Sequence, residues 1–350
     1  MTLRNTIRAA LLASIAVPHV ATAQDATDGV RMTWFGITNW YYEIGDTGVL
    51  IDGAVSKFWE DNATSDAAEV DRVFKGLDQG AGVDMIFIGH EHADHSIDAV
   101  EWARVIGAPI YTSEVACDAA IANGLPEGQC TPVYGGEVID VNDDTQVRVV
   151  RWSHSFGCDK DSAGGTEGLE TFGFFFTHRT ADGTLAWFMS DSGAGNAELV
   201  TNRIVDGVDY GAPLANLADA VRDAGVDGFD LWQGGPESRI VNQARVLVPA
   251  FDIKTFMPQH FGARGGYDIT QGLHYPFDLA EMPKLAALLD ERDVELVVSE
   301  NYFDAYVYDA SGVRRDDNAA IKTALGLPAS GTGPQREPAQ GRDGMCAGLI

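Results

Sequence analysis

The sequence predicts an α/β (α+β) fold, a four-layer αββα sandwich in which two mixed β-sheets pack together and are flanked by helices. Three observations predict it. Each half of the chain opens with short strand signals and continues with strands and amphipathic helices in alternation. Each predicted sheet has an apolar face to bury, which favours packing sheet on sheet with helices outside. The chain's 350 residues, 45% of them hydrophobic, suffice for a substantial core.

In the first half, turn residues and apolar periodicity define the elements. Three short strands come first and an amphipathic helix with an acidic first turn follows them. The predicted strands are 32–36, 40–44, 49–52, 83–88 and 109–111, and the predicted helices are 65–76, 96–106 and 113–123. Gly107 and Gly124 directly follow the last two helices, as is typical of helix ends.

The second half repeats this alternation. Four strands open it, at 137–141, 146–152, 171–178 and 184–190. Further along, the predicted helices are 214–224, 238–247 and 279–291, and the predicted strands are 228–232, 255–257 and 295–299. We expect 295–299 to be the last strand of the core.

Both ends of the chain are predicted to lie outside this domain. Two arginines precede an apolar stretch, and 21–23 is Ala-Thr-Ala, so residues 1–23 are expected to be a secretory signal peptide cut before Gln24. The apolar stretch is too short to span a bilayer, so no stable membrane anchor is expected. The protein would then be periplasmic or secreted, with the domain at 24–327 and an irregular tail at 328–350.

The four cysteines fit export. An even number of cysteines in an oxidising compartment favours disulfide bonds, and four cysteines allow three pairings. We expect Cys117 to pair with Cys130, which is close in sequence, and Cys158 to pair with Cys346, which would hold the tail. Cys158 also lies four residues after a histidine, so a role as a metal ligand is the alternative.

The charge balance narrows the range of partners. The formal net charge is -28, which repels nucleic acids and anionic lipid surfaces. A small-molecule substrate is therefore expected and a nucleic-acid partner is not, while the oligomeric state stays open. No glycine-rich phosphate loop precedes a helix and no Gly-x-Ser-x-Gly motif occurs, so neither a nucleotide-dependent enzyme nor a serine hydrolase is supported.

The candidate chemistry is concentrated in residues 89–96, which read Gly-His-Glu-His-Ala-Asp-His-Ser. This segment directly follows an apolar run that is predicted to be a buried strand. Imidazole nitrogens and carboxylate oxygens are the donors that zinc and similar metals prefer. A polar surface turn is the alternative, but the spacing of His90, His92, Asp94 and His95 favours a metal site.

Further ligands are expected directly after strands, where loops gather at one edge of the sheets. Three residues meet this condition and have a turn-forming residue nearby, namely His154, Asp191 and His260. They complete a candidate ligand set with the four residues of the histidine-rich segment.

On these residues the chain resembles the metallo-β-lactamase superfamily. The family's His-x-His-x-Asp-His motif is present at 90–95, and its later His, Asp and His ligands match, in order, His154, Asp191 and His260. The resemblance covers nearly the whole chain, from 32 to 299. It implies the αββα fold, two metal ions and a hydrolytic reaction.

The resemblance also assigns roles to the ligands. The implied set for the first ion is His90, His92 and His154; the set for the second is Asp94, His95 and His260; and Asp191 would bridge the two. The nucleophile would be a hydroxide bridging the ions and oriented by Asp94, since two cations lower the pKa of bound water. Asp52 would support a ligand by direct contact, with a simple turn residue as the alternative.

The types of ligand narrow the range of metals and of activities that are expected. Family members that use two irons for redox work tend to carry a carboxylate where His92 stands, so two zinc ions are expected, with iron and manganese as open alternatives. Asp191 stands where antibiotic-degrading members of one subgroup carry a cysteine, which makes lactamase activity of that type less expected.

Other residues are weaker candidates. Arg264, in a glycine-flanked loop, is a candidate to clamp a carboxylate or phosphate, and His274 is a candidate to face the same pocket; an ordinary surface or structural role is the alternative for both. His178, at a predicted strand end, is expected at the surface. Four aromatic residues are candidates for a wall at the metal edge, although such residues are more often core: Trp34, Trp40, Tyr41 and Trp59.

The sequence therefore predicts an exported two-zinc hydrolase that cleaves an ester or lactone, phosphodiester or amide-type bond in a small molecule. Two alternatives from other classes are a non-catalytic zinc-binding protein of the same fold and an iron-dependent redox enzyme. The motifs indicate the reaction type and leave the substrate open, because substrate choice in one fold depends on the loops around the site.

Overall fold

The structure is a computed structural model, and it describes residues 28–58, 63–154, 170–190, 196–205, 207–235, 240–262, 267–269 and 281–328. The predicted signal peptide (1–23) and, apart from Pro328, the predicted tail lie outside the described residues. No helix among the described residues has the length and apolarity that crossing a membrane requires.

The described strands and helices alternate along the chain. The strands are β1 Val30–Trp34, β2 Trp40–Ile44, β3 Thr47–Ile51, β4 Met85–Phe87, β5 Ile110–Thr112, β6 Cys130–Pro132, β7 Val138–Asn142, β8 Thr145–Arg151, β9 Phe172–Thr180, β10 Gly183–Ser190, β11 Ile204–Val205, β12 Val208–Asp209, β13 Leu231–Gly234, β14 Thr255–Pro258, β15 Glu295–Leu296, β16 Asp304–Asp309 and β17 Gly312–Asp316. The helices are α1 Ala67–Leu77, α2 Ala93–Ser96, α3 Ala99–Ile106, α4 Glu114–Ala122, α5 Asn196–Val200, α6 Pro213–Asp223, α7 Ile240–Phe251, α8 Glu281–Asp290 and α9 Ala319–Ala324.

Two mixed sheets form the middle layers. The first has the order β17-β16-β1-β2-β3-β4-β5-β6, and the second has the order β15-β14-β13-β10-β9-β8-β7. In each sheet the early strands pair antiparallel and the strands that follow helices pair parallel, for example β3 with β4 and β13 with β14. Parallel pairing places successive strand ends at one edge, and the loops that carry residues 90–95 and His260 leave from those ends.

The core between the sheets is rich in aromatic residues. Tyr42 packs edge-on against Phe176 and Trp187 of the second sheet, with ring centroids 5.3 and 5.8 Å apart. Phe176 and Trp187 stack at 4.7 Å, and all three are fully buried. Because aromatic side chains bury about 150–250 Å² each, this layer supplies much of the apolar burial that holds the sheets together.

Helices cover the outer face of each sheet. In α1, Val70, Val73 and Leu77 recur at helical spacing and face the core, and Asp66 caps the first turn by accepting from two backbone amides. Buried residues of α3, α4 and α9 join the same core, whereas those of α6, α7 and α8 form a second cluster on the other sheet. The predicted four-layer αββα class is confirmed.

The prediction that 295–299 is the last core strand is wrong. The strand there, β15, has two residues, and the chain continues into β16, β17 and α9. Strand β16 pairs antiparallel with β1, from Val30 opposite Tyr308 to Trp34 opposite Asp304, and so lies inside the first sheet. Pairing between segments so far apart in the sequence leaves no local pattern from which it could be predicted.

The predicted helix 96–106 is also divided. A single turn, α2, ends at Ser96, and α3 begins at Ala99. The break follows the ligand segment directly, where Asp98 turns its side chain away from α3 towards the 55–56 backbone. Strands β6, β11 and β12 and helix α5 were not predicted; all are short.

The predicted disulfide between Cys117 and Cys130 is confirmed. It joins α4 to β6, with Cα atoms 5.6 Å apart. Both cysteines are buried against the first sheet. The predicted partners Cys158 and Cys346 lie outside the described residues.

Candidate metal centre

The ligand segment owes its shape to one turn of helix. After the buried strand β4, the chain bends at 91–92, and α2 then begins at Ala93, with His92 in an extended conformation. His95 and Ser96 donate backbone hydrogen bonds to the carbonyl of His92 at 3.0 and 2.9 Å. This turn brings the ring of His95 back to 4.0 Å from the ring of His90, and both residues are buried.

Three histidines form a first group of donors. His90 and His92 come from the ligand segment, and His154 follows the end of β8 in the second sheet. Their ring centroids lie 4.6 to 4.8 Å apart. One nitrogen of each ring lies within 4.8 Å of the other two, close enough to share one metal ion.

A second group adjoins the first and contains a carboxylate. Asp94 Oδ2 lies 3.5 Å from His95 Nε2 and 3.4 Å from His260 Nε2. These three ligand atoms also lie within 4.8 Å of one another. The sets that the structure brings together are therefore the two sets that the family resemblance implies, apart from Asp191, which lies outside the described residues.

The donor sets fit divalent transition metals. Neutral imidazole nitrogens suit zinc, iron and other borderline ions, and a single carboxylate adds a charged oxygen. Each group draws two donors from the 90–95 segment and one from the second sheet, so each ion would link the two sheets. Three protein donors leave room for a further ligand, as catalytic sites require.

Electrostatics favour an ionised Asp94. Burial opposes its ionisation, but the adjacent His95 and His260 outweigh burial and hold the pKa of Asp94 well below its usual range. The carboxylate is thus charged across the physiological pH range. A carboxylate of low pKa is a good metal ligand and hydrogen-bond acceptor and a poor general base.

Asp52 anchors the ligand segment from the end of β3. Its Oδ2 lies 2.9 Å from His95 Nδ1, and its Oδ1 accepts from the backbone amide of Gly89 at 2.9 Å. Since a carboxylate accepts, the proton of His95 lies on Nδ1 and leaves Nε2 to face Asp94. Thr38 contributes a hydroxyl that donates to Asp52 and lies 2.9 Å from His95 Nδ1.

The backbone at Asp52 is unusual. Asp52 has a φ of +57°, a region that is uncommon outside glycine, although asparagine, aspartate and histidine adopt it more often than other residues, and that can mark functional sites. Asn39 stabilises this bend by accepting from the amides of Gly53 and Ala54, each at 2.9 Å. The strand end is therefore turned so that the Asp52 side chain reaches two parts of the ligand segment.

His260 is held by a backbone contact between the two sheets. Its amide donates to the carbonyl of Ile37 at 2.9 Å, and the amide of Ile37 donates to Phe261 at 2.8 Å. Both Ile37 and His260 have positive φ, +49° and +69°. The turn between β1 and β2 thus positions the ligand that follows β14, a contact that sequence patterns gave no reason to expect.

A second buried carboxylate stabilises the neighbouring loop without touching a ligand. Asp98 accepts from the amides of Val55 and Ser56 at 2.7 and 2.8 Å, and from the hydroxyls of Ser56 and Ser65. Burial raises the pKa of Asp98, and these hydrogen bonds oppose the rise. This role was missed, although a helix N-cap aspartate after the motif was a local signal.

The remaining candidates divide into two kinds. Arg264, His274 and Trp59 lie outside the described residues. Trp34, Trp40 and Tyr41 are fully buried in the core. The prediction of a surface position for His178 is wrong: the residue is 6% exposed, and its Nδ1 lies 2.8 Å from the Thr145 hydroxyl on the paired strand β8. Strand β9 continues past it to Thr180, so His178 is interior to the sheet.

Sequence comparison finds relatives named metal-dependent hydrolases. No family model matches the chain. A UPF0173 metal-dependent hydrolase from Pyrobaculum aerophilum is 30% identical over 127 residues, or 36% of this chain and 51% of that protein. A UPF0173 metal-dependent hydrolase from Halobacterium salinarum is 24% identical over 237 residues, 66% of this chain and 83% of that protein. The match to the first relative thus spans about half of its length.

Solved structures resemble the whole sandwich. Igni18, a metallo hydrolase from the archaeon Ignicoccus hospitalis, has a TM-score of 0.50 at 14% identity, covering 80% of this chain and 99% of that chain. The metallo-beta-lactamase fold protein YhfI from Bacillus subtilis has a TM-score of 0.47 at 11% identity, covering 80% and 99%. With its four layers and its ligand segment at the sheet edge, this chain has the metallo-β-lactamase fold.

Proposed function

We propose that this protein is a metal-dependent hydrolase with two metal ions at the edge of the sandwich. One observation carries the proposal: two groups of three donors lie side by side, joined by the close contact of His90 and His95, whose rings are 4.0 Å apart. A single structural zinc ion is held by four protein donors, whereas six donors lie together here. The curated relatives' names, metal-dependent hydrolase, support the same class.

The proposed metals supply chemistry that no side chain at this site offers. Two divalent ions would lower the pKa of a water nucleophile and polarise the substrate oxygen. The chain's own residues do the rest. Asp94 remains ionised beside both histidines of its group and provides an acceptor that orients a water proton, while Asp52 and Thr38 hold the ring of His95 in one tautomer and one orientation.

Zinc is the proposed metal. The first group consists entirely of imidazoles, including His92, and a neutral ligand set leaves a zinc ion strongly Lewis acidic. Asp191 is the proposed bridge between the ions. The bond cleaved would belong to an ester or lactone, a phosphodiester or an amide in a small molecule, and Arg264 and His274 are proposed to contact it.

Export is proposed from two independent features. Residues 1–23 have the pattern of a secretory signal peptide, and the disulfide between Cys117 and Cys130 is typical of an oxidising compartment. N-terminal sequencing of the protein from the periplasm or medium should begin at Gln24. A full-length cytoplasmic protein would contradict this part of the proposal.

The hydrolase proposal is tested by removing and restoring the metal. The purified protein should contain about two ions per chain and should hydrolyse at least one member of a panel of lactones, phosphodiesters and β-lactams. Chelation should abolish that activity, and Zn²⁺, Mn²⁺ and Fe²⁺ added separately should restore it to different extents. Activity that survives complete metal removal would contradict the proposal, and two bound ions with no turnover would favour the zinc-binding alternative.

A further inference from the structure

A fully buried glutamine lies beside the second group of donors. Gln259 is the residue between the end of β14 and His260, and none of its surface is exposed. A buried amide side chain costs free energy unless both of its ends are hydrogen-bonded. In Gln259 both ends are hydrogen-bonded, and its two partners belong to different sheets.

The two side-chain hydrogen bonds of Gln259 connect the end of β14 with β2 and β10. Its Oε1 accepts from Trp40 Nε1 at 2.6 Å, and its Nε2 donates to the carbonyl of Ser190 at 2.7 Å. Trp40 begins β2 in the first sheet, whereas Ser190 ends β10 in the second. An indole N–H can only donate and a carbonyl can only accept, so the partners allow one orientation of the amide.

The positions of these partners matter for the metal centre. Ser190 directly precedes Asp191, the proposed bridging ligand, and Gln259 directly precedes His260. The backbone amide of Gln259 also donates to the carbonyl of Gly234 at 3.2 Å, which ties β14 to β13 at the same edge. One side chain therefore connects the strand ends that precede His260 and the proposed ligand Asp191 with each other and with the first sheet.

Close packing makes this edge rigid. Ser190 Oγ accepts from Trp232 Nε1 at 3.0 Å. A Cβ at Gly234 would lie 2.2 Å from that indole nitrogen and 2.3 Å from the Ser190 hydroxyl, so the strands can approach this closely only with glycine there. Any movement of Ser190 or Gln259 would have to break hydrogen bonds in a fully buried layer.

We propose that Gln259 is a positioning residue for the metal centre, which fixes His260 relative to the strand end before Asp191 and so sets the affinity of the second ion. The inference rests on the proposed two-metal function. Residues that orient metal ligands contribute about 10–100-fold to metal affinity or activity, and Gln259 acts on the backbone of its ligand rather than on the ring.

The chain offers a matched control in Gln233. This residue is also a fully buried glutamine that connects the sheets: its Oε1 accepts from the Tyr42 hydroxyl, and its Nε2 lies 3.4 Å from Met32 Sδ. It lies within β13 and precedes no proposed ligand. Loss of either glutamine removes hydrogen bonds between the sheets, but only loss of Gln259 should affect metal binding.

The test is a calorimetric titration of metal-free protein with Zn²⁺, with thermal unfolding measured in parallel. Wild type should bind two ions, and Gln259→Met should bind the first normally and the second about 10–100-fold more weakly. Gln233→Met should unfold at a lower temperature with both affinities unchanged. Trp40→Phe, which removes one of the two side-chain hydrogen bonds of Gln259, should lower the affinity for the second ion by a smaller factor. This variant keeps the test decisive if Gln259→Met does not fold.

The outcomes separate the two proposals. A wild-type protein that takes up no Zn²⁺ would overturn the proposed function. A wild type that binds two ions would leave that function intact, and the role of Gln259 would then be refuted by unchanged second-ion affinity in Gln259→Met and Trp40→Phe, or by an equal loss in Gln233→Met.

Discussion

The two sheets contribute to the candidate metal centre in opposite ways. The edge of the first sheet supplies four donors from one segment of six residues, and Asp52 supports one of them by direct contact with its ring. The edge of the second sheet supplies His154 and His260, which are far apart in the sequence. Its support consists of backbone hydrogen bonds and the neutral amide of Gln259.

This difference shows that packing of the second sheet on the first completes the site. The ligand segment brings two donors of each group together, with Asp52 orienting His95, and two donors are too few for a stable ion. The third donor of each group arrives only when the second sheet packs on the first. Metal affinity should therefore depend on the packing between the sheets, whereas the positions of the first-sheet donors relative to one another should not.

Removing one ligand from each sheet should give the largest effect. We expect His92→Ala to lose the first ion and His260→Ala to lose the second, so that each variant retains about one ion instead of two. Atomic absorption on the purified variants measures this directly. Unchanged metal content in His92→Ala would contradict the assignment of that residue, and loss of both ions in either variant would indicate that the groups do not bind independently.

Removing the disulfide should affect stability and spare the metal. The bond between Cys117 and Cys130 closes a loop with a sequence separation of 13 at the far edge of the first sheet. The double alanine variant should lose about 3 kcal/mol of unfolding free energy, the value expected for a loop of this size. Denaturant unfolding measures the loss, and metal titration of the folded variant should match wild type.

The two buried carboxylates near the ligand segment offer a sharper comparison. Asp52→Asn removes the charge that orients His95, and should lower the affinity for the second ion about 10–100-fold. Asp98→Asn removes a carboxylate whose hydrogen-bond partners among the described residues lie in the loop before α1. It should cost roughly 1–3 kcal/mol of stability with metal affinity unchanged. Equal effects of the two variants on metal binding would show that the contact with His95 has no special role.

The smallest effect concerns the buried histidine of the second sheet. Burial lowers the pKa of His178 from its usual 6.5, against the opposing charges of Asp144 and Asp28. The neutral ring is favoured in the folded state, so His178 reduces stability as the pH falls below 6.5, where the unfolded chain binds the extra proton.

In His178→Gln this part of the pH dependence should disappear. Between neutral pH and about pH 5 the variant should lose less unfolding free energy than wild type. Chemical denaturation at several pH values measures the difference. If the variant loses as much stability on acidification as wild type does, groups other than His178 cause the pH dependence.

Much of the fold could be predicted because its signals are local. Strand β2 and helix α4 have bounds within one residue of those expected, since turn residues and glycines mark their ends. Strand β16 was missed because its place beside β1 depends on pairing across the whole chain. His178 was placed wrongly because a histidine beside an arginine has the composition of a surface strand end, whereas its pairing with Thr145 makes it interior.

The sequence by itself determined the donor chemistry of this protein and half of its geometry. Four donors within six residues after a buried strand are brought together by a single helical turn, which requires only local interactions. The tertiary structure alone decided how these donors are completed. His154 and His260 reach them only through packing between the sheets, and the contacts that hold those residues, at Ile37 and Gln259, join backbone and amide groups that carry no recognisable pattern in the sequence.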